Sequence, residues 1–155
     1  MQLTTRARIQ VPRPPDQVFD FAVSTESFPR MMQPLGPIPG IVSMEMQGGA
    51  RPARGARRRV TMTDGSVINE ELLAYERPTR HQYRWLDPPK FPFSLLVKRG
   101  EGDFRFAPAE GGTRIEWTYR FQLTTPLVVG MTLPVLFLFR RWMKQGLTRI
   151  RDELR

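Results

Sequence analysis

Two consecutive glutamates, Glu70 and Glu71, have side chains that could take part in a reaction. Paired carboxylates can exchange protons with a substrate, but neighbouring residues of a β-strand point to opposite faces of the sheet. The alternation of residues 68–74 therefore puts one glutamate inside the protein and the other outside. Two registers fit this segment, and in neither can the two carboxylates act together on one substrate.

A glutamate that points inward needs a partner, because a lone buried charge is costly. Arg58 shares an alternating face with Val60 and Met62 in the preceding segment, so it could supply the opposite charge. The alternative is that these charged side chains lie in solvent at a strand end.

His81, the only histidine, is the second candidate for proton transfer. It shares a strand face with Tyr83 and Trp85. If that face is inward, we expect His81 at the rim of a cavity, where it could act as a general acid or base near neutral pH. The other interpretation is a histidine that is only hydrogen-bonded within the structure.

Signatures of the common enzyme classes are missing. Without cysteine there is no thiolate nucleophile or cysteine-bound metal, and no carboxylates stand at metal-ligand spacing around His81. The sequence has no nucleophile elbow, phosphate-binding loop or dinucleotide fingerprint. We expect neither a metal nor a cofactor. Glu70 and His81 are the catalytic candidates, and a tyrosine of the pocket is a further group that could move a proton.

Aromatic side chains fall on one alternating face of three adjoining predicted strands, opposite the apolar stripe of a C-terminal helix. A concave sheet over a helix can leave a mostly apolar pocket, although the same side chains would also form an ordinary core. We expect Phe28 and Met32 near the entrance of such a pocket. Gly100 and Gly102 would add room on the inward face. The predicted ligand-binding residues are Phe28, Met32, Arg58, Met62, Glu70, Tyr83, Trp85, Phe104, Phe106, Trp117, Tyr119, Phe139 and Met143.

The order of elements explains how these side chains could meet. Alternation predicts a strand over residues 6–11, the prolines that follow it favour a first helical turn, and a second short helix is expected over 25–32. Short turns separate the next strands, which predicts an antiparallel meander. These strands are expected at 41–47, 55–63, 66–76, 80–86, 96–107 and 113–124. An amphipathic helix from Leu133 closes a single domain over residues 1–155.

Three stretches carry a resemblance to a known family. They are Ile9 to Pro12 with Pro15 to Phe21, Asn69 to Leu72 with Glu76 to Arg80, and Gly111 to Tyr119. In this order the sequence resembles the START-like (SRPBCC) superfamily, in particular its polyketide cyclase/dehydrase and lipid transport branch.

The resemblance implies an α+β helix-grip fold, in which a curved seven-stranded antiparallel sheet surrounds a long C-terminal helix, with two short helices after the first strand. It also implies a deep apolar cavity between sheet and helix, in a family that ranges from lipid and quinone binders to aromatase/cyclases. The family pattern favours Glu70 as the inward glutamate. We then expect Glu70 and Arg58 to lie close together and to form the polar contact of the cavity.

The net charge of +9 comes from 24 basic residues, 21 of them arginine, against 15 acidic ones. The surplus collects in the segment Arg51–Arg59 and on the last helix. Such a charge fits an anionic partner. However, no aromatic side chains interleave with the arginines of Arg51–Arg59, which argues against single-stranded nucleic acid. Solvated charge is the interpretation we favour, and docking to an anionic partner is the alternative.

The most apolar run, residues 126–139, is interrupted by Gly130 and Pro134 and is shorter than the about 20 apolar residues that span a bilayer. It either packs over the cavity mouth or makes transient contact with a membrane surface. No secretory signal is visible at the start of the sequence, so we expect a cytoplasmic protein.

Three functional hypotheses follow. The first is binding or transport of a hydrophobic small molecule, such as a lipid, a quinone or a polyketide-like compound. The second is an enzyme of the cyclase/dehydratase kind that moves a proton with a polar pocket residue. The third is a basic module that acts on RNA or a membrane surface. The missing catalytic constellation favours the first, and the sequence predicts neither the ligand identity nor the oligomeric state.

Overall fold

A computed structural model describes residues 1–155 as one antiparallel sheet that curves around a C-terminal helix. The sheet order is β1-β7-β6-β5-β4-β3-β2, and every neighbouring pair is antiparallel. Consecutive strands from β2 to β7 are neighbours, whereas β1 pairs with β7. The two short helices connect β1 at one edge of the sheet to β2 at the other. The elements are β1 (Gln2–Val11), α1 (Pro15–Ala22), α2 (Ser27–Met31), β2 (Ile41–Met46), β3 (Arg57–Met62), β4 (Val67–Glu76), β5 (Arg80–Trp85), β6 (Val97–Ala109), β7 (Gly112–Leu123) and α3 (Val129–Leu154).

The predicted helix-grip fold is confirmed, with seven strands and three helices in the expected order. β1 begins at Gln2 rather than near Arg6, because its first residues pair with β7 as far as Gln122. That extension is polar and partly exposed, so its alternation is weak in the sequence.

The long helix starts at Val129, four residues before the predicted Leu133 and in spite of Pro134. The Thr125 hydroxyl accepts a hydrogen bond from the backbone N–H of Leu127, which caps the short 3-10 turn that leads into α3. Pro134 lies in the second turn of the helix, where its missing N–H removes one intrahelical hydrogen bond.

The second half of α3 lies in the core of the protein. Met143, Leu147 and Ile150 are fully buried at steps of three and four residues, as an amphipathic helix requires. On the flank beside this buried face, Arg140 and Lys144 donate hydrogen bonds to backbone carbonyls of the edge strand β1. These contacts cover polar groups that an edge strand would otherwise expose.

By length and composition alone, the segment Pro126–Leu154 could cross a membrane. Within the fold, 17% of its most apolar window is buried. The fold buries the C-terminal half of α3 against the sheet. The unburied apolar residues of this segment therefore concentrate in its first half.

Candidate ligand cavity

A cavity of about 120 Å³ lies between the sheet and the first half of α3. Its walls come from β2 to β7, from α3 and from three connecting loops, and 14 of the 21 lining residues are hydrophobic, which makes it an apolar site. The lining residues are Ile38, Pro39, Ile41, Val60, Met62, Asp64, Ser66, Ile68, Glu70, Trp85, Pro89, Lys90, Phe93, Val97, Tyr119, Phe121, Thr132, Val135, Leu136, Phe139 and Trp142.

Glu70 is the buried charged residue of this wall, since Asp64 and Lys90 are exposed at its surface end. It faces Arg58 directly across the β3–β4 ladder. Nε of Arg58 donates a hydrogen bond of 2.7 Å to Oε1 of Glu70, and the two side chains are only 4% and 7% exposed. The structure thus excludes the alternative in which these charges lie in solvent at a strand end.

Burial raises the pKa of the Glu70 carboxyl above its ordinary value, because a low-dielectric environment penalises the charged form. The positive charge of Arg58 and its hydrogen bond oppose this rise, and so does the nearby Trp85 side chain. Glu71 points to the other face, where it pairs with Arg84 at 2.7 Å. Only one glutamate of the pair therefore reaches the cavity.

His81 lies behind this ion pair and not at the cavity rim, which corrects the position that the strand pattern suggested. Its side chain is buried, and its Nε2 is 3.2 Å from Nη1 of Arg58. A guanidinium can only donate, so Nε2 accepts and the imidazole is neutral. Burial and the charge of Arg58 hold the pKa of His81 well below its ordinary value. His81 does not line the cavity and has no direct access to a ligand there.

A tyrosine pair extends the polar cluster. The Tyr83 hydroxyl donates a hydrogen bond of 3.0 Å to the Tyr119 hydroxyl, and the guanidinium of Arg58 lies 4.7 Å from the centre of the Tyr83 ring. Burial raises the pKa of both tyrosines, so both are neutral hydrogen-bonding groups at physiological pH. Of the two, Tyr119 lines the cavity.

The predicted ligand-binding residues divide into three groups. The first group lines the cavity, and the second, Arg58 with Tyr83, lies directly behind it. The third group is packed into the core. The first group is Met62, Glu70, Trp85, Tyr119 and Phe139, and the third is Phe28, Met32, Phe104, Phe106, Trp117 and Met143.

The third group is buried because α1 and α2 fill the concave face at that end of the sheet. Phe28 packs edge-to-face on Phe104 and Trp117, with ring centres 5.8 and 5.7 Å apart. Phe104 and Trp117 themselves stack at 4.5 Å. Phe28 and Met32 are thus core residues of the closed end and not residues of an entrance.

The prediction that Gly100 and Gly102 enlarge the cavity is wrong. A Cβ atom on Gly100 would lie 2.7 Å from the Trp85 ring, and one on Gly102 would overlap the Tyr83 ring. These glycines let the two aromatic rings lie flat against β6, so the space that they provide is occupied.

Several cavity residues have no signal in the sequence. Ile38 and Pro39 come from a loop before β2, and Phe93 comes from a short 3-10 turn before β6. Loop residues show no periodicity that could place them. Thr132 lies before the predicted helix start at Leu133 and was therefore missed. Trp142 lies three residues after Phe139, so helical spacing could have placed it on the inner face.

The segment Arg51–Arg59 is less uniform than its composition indicates. Arg58 turns inward and pairs with Glu70, whereas the arginines on either side of it are exposed. Arg58 therefore does not add to the surface charge of this segment.

A family model described as polyketide cyclase / dehydrase and lipid transport matches residues 2–155. The chain belongs to this family. Among curated proteins, it is similar to the uncharacterized protein Rv2574 of Mycobacterium tuberculosis H37Rv. The two are 27% identical over 141 residues, which cover 91% of this chain and 75% of the relative.

Solved structures show the same fold at low identity. TTHA0849 from Thermus thermophilus is similar with a TM-score of 0.71 and 22% identity, over 98% of this chain and 97% of that one. The di-domain ARO/CYC BexL from the BE-7585A biosynthetic pathway is similar with a TM-score of 0.67 and 16% identity, over 99% of this chain and 50% of that one. Membership of the polyketide cyclase/dehydrase and lipid transport family and this fold support a role in binding hydrophobic molecules.

Proposed function

We propose that the protein binds and carries one hydrophobic small molecule, such as a lipid, a quinone or a polyketide-like compound, between the sheet and α3. The observation that carries this proposal is the position of Glu70, a buried carboxyl in an otherwise apolar wall. Binding sites of this kind combine apolar walls with a few polar groups that orient the ligand. The polar end of the molecule lies at Glu70, and its apolar body lies against Ile68, Leu136 and Phe139.

The hydrogen-bonding capacity of the cluster limits the chemistry of that polar end. Oε1 of Glu70 already accepts from Arg58, which leaves acceptor capacity on the carboxyl for a ligand hydroxyl. The Tyr119 hydroxyl shares one hydrogen bond with the Tyr83 hydroxyl, which leaves it able to form a second one, to a ligand oxygen. A hydroxyl or carbonyl group at the end of an apolar molecule suits these two neighbours.

The volume of the cavity limits how a larger molecule would fit. About 120 Å³ is less than the roughly 300–1,000 Å³ of most small-molecule pockets. A longer ligand therefore extends through the mouth or displaces half-buried side chains such as Leu136 and Phe139.

Binding of an apolar fluorescent probe, N-phenyl-1-naphthylamine, to two matched variants tests the location. Leu136 and Leu138 are both half-buried on α3, but only Leu136 lines the cavity. Leu136→Trp should abolish most probe binding by filling the cavity, while Leu138→Trp should bind as the parent does. Equal binding by both variants, or no binding by the parent, would contradict the proposal.

An enzyme of the cyclase/dehydratase kind is the second candidate, and the raised pKa of Glu70 at the cavity wall favours it. A carboxyl with a raised pKa can donate and recover a proton closer to neutral pH than an ordinary one. His81 would then be a positioning residue that acts through Arg58, since it does not reach the cavity.

The mass of a compound recovered from the protein distinguishes the two candidates. A carrier returns the compound unchanged after incubation with fresh protein. A dehydratase removes one water molecule from it, and Glu70→Gln abolishes that change. If a compound isolated from the Glu70→Gln variant is also recovered unchanged after incubation with the parent, the dehydratase is excluded.

A further inference from the structure

The first half of α3 exposes apolar side chains that the rest of the chain leaves uncovered. Leu127 in the turn before the helix is 90% exposed, Met131 is 67% exposed and Phe137 is 63% exposed. Leu133, between them, is also exposed. Leu133 and Phe137 are four residues apart and share one face of the helix, whereas Met131 points to another side. Monomeric proteins rarely expose large apolar surfaces, and such surfaces usually mark interaction sites.

A second exposed apolar segment lies beside this one. Leu95 ends the short 3-10 turn before β6, Phe91 lies two residues before that turn, and both are exposed. The Thr124 hydroxyl donates a hydrogen bond of 2.7 Å to the Leu95 carbonyl, which ties this turn to the start of α3. Phe93 of the same turn lines the cavity, as Val135 of α3 does. The exposed apolar side chains therefore belong to the same two elements as these residues of the cavity wall.

Cations follow the apolar residues along the outer face of α3. Arg140, Arg141 and Lys144 continue the three- and four-residue steps that begin with Leu133 and Phe137. Phe137 lines a shallow groove with these three cations and with the Arg6 and Arg8 side chains of β1. The apolar and the basic residues thus form one continuous surface.

The cations of this surface outnumber the carboxylates that could neutralise them. The chain carries no carboxylate from Pro126 to Arg151, and Glu116 is the acidic side chain that reaches Arg6 and Arg8, at 3.4 and 3.1 Å. Burial, with the like charges of Arg151 and Arg140, lowers the pKa of Lys144. An anionic group on this groove would relieve that repulsion.

We propose that this surface docks onto an anionic lipid bilayer, with the cavity mouth facing the lipid. Leu133 and Phe137 enter the boundary between headgroups and acyl chains, and the cations on the same face of the helix contact the phosphates. Apolar side chains followed by a basic cluster are the combination that holds a helix at an anionic interface. This inference goes beyond ligand binding, because it assigns the surface at which the cavity meets a membrane.

Two other arrangements fit the surface less well. A second copy of the chain on the same face would bring two unneutralised cation clusters together, which is unfavourable. A membrane-spanning α3 would have to withdraw Met143, Leu147 and Ile150 from the core, where all three are fully buried. The helix therefore lies on the bilayer and does not cross it.

Flotation with lipid vesicles tests the docking. We expect the parent protein to float with phosphatidylcholine vesicles that contain roughly a third phosphatidylglycerol and not to bind vesicles of pure phosphatidylcholine. The bound protein should dissociate as the salt concentration rises. The double variant Leu133→Ser/Phe137→Ser should lose about tenfold or more of this binding, because two apolar side chains no longer enter the lipid. Val42→Ser removes an exposed apolar side chain on β2 and should bind as the parent does.

A matched pair of charge variants separates a specific surface from overall basicity. Arg141→Gln should weaken vesicle binding about fivefold, whereas Arg54→Gln, with the same change in net charge, should have no effect. Equal losses in both variants would overturn the proposal, as would the absence of flotation by the parent.

Two further measurements complete the test. If the parent is a dimer in solution and Leu133→Ser/Phe137→Ser splits it, the surface is an interface between copies and the proposal fails. Probe binding by the same double variant should equal that of the parent, because neither residue lines the cavity. Failure of the docking is thereby distinguishable from failure of the proposed ligand binding.

Discussion

Arg58 and Glu70 face each other across adjacent strands and form a 2.7 Å ion pair from which solvent is almost excluded. Burial of two charges costs free energy that their attraction only partly returns, so the pair contributes less to stability than its geometry suggests. Its second effect is to hold one carboxyl at the cavity wall, which makes the pair the structural basis of the proposed ligand contact.

Removal of one partner should destabilise the protein strongly. Arg58→Met leaves the carboxyl of Glu70 buried without a counter-charge, and we expect a loss of about 3–5 kcal/mol in the free energy of unfolding at neutral pH. The double variant Arg58→Met/Glu70→Leu should recover most of that loss, because no buried charge remains. Urea unfolding of the three proteins measures this, and a single variant as stable as the parent would refute the buried pair.

His81 should make the protein sensitive to acid. The folded state holds His81 neutral, while the unfolded chain takes up a proton below about pH 6.5. Stability contributed by the neutral form is therefore present above that pH and is lost as the pH falls, by up to about 1.4 kcal/mol per unit.

The variant His81→Gln isolates this effect. Glu70 acts in the opposite sense, because its pKa is raised in the folded protein, which therefore binds a proton there more readily than the unfolded chain. The stability that Glu70 contributes falls as the pH rises above the ordinary pKa of a glutamate. Both the parent and His81→Gln contain Glu70, so its contribution cancels when their free energies of unfolding are subtracted. We expect that difference to change steadily below pH 6.5, and a difference independent of pH would show that His81 titrates normally.

Glu70 should determine the preference for a polar ligand end. In competition with the fluorescent probe, the parent should prefer lauryl alcohol to the matching alkane, and Glu70→Gln should reduce that preference about tenfold or more, as expected for a hydrogen bond to a charged group. Glu71→Gln changes the neighbouring residue on the outer face and is the matched control. Equal preferences in both variants would remove Glu70 from the ligand contact.

Gly100 should be required for the position of the Trp85 ring. Gly100→Ala places a Cβ atom 2.7 Å from that ring, so the indole must move toward the cavity. We expect weaker probe binding and a loss of about 1–3 kcal/mol in stability. Gly130→Ala, in a helical position with open space around it, should leave probe binding unchanged and slightly stabilise the helix. Probe affinity unchanged by Gly100→Ala would contradict the assigned ring position.

Strand alternation was enough to bring Arg58, Glu70, Tyr83 and Tyr119 to one face, because side chains alternate strictly along a paired strand. It could not show which part of that face encloses space. Phe104 and Trp85 have the same inward orientation, but α2 covers Phe104 through Phe28, while Trp85 lies beyond the reach of the short helices.

The start of α3 and the loop residues of the cavity were not predicted from the sequence. The sequence predicts a start of α3 at Leu133, whereas the helix begins at Val129, directly after the short turn that Thr125 caps. The loop residues Ile38 and Phe93 reach the cavity through backbone conformations that no periodic pattern encodes. The exposed half of α3 could be recognised as apolar in the sequence, but its exposure is a property of the folded chain.

Native mass spectrometry of the purified protein tests the central claim most directly. The parent, released gently from its expression host, should carry one small molecule per chain, and extraction should recover a hydrophobic compound with a hydroxyl or carbonyl group. Leu136→Trp should lack that molecule, while Leu138→Trp should retain it. A parent that carries no such molecule, or a compound retained equally by Leu136→Trp, would contradict the proposal that this cavity holds the ligand.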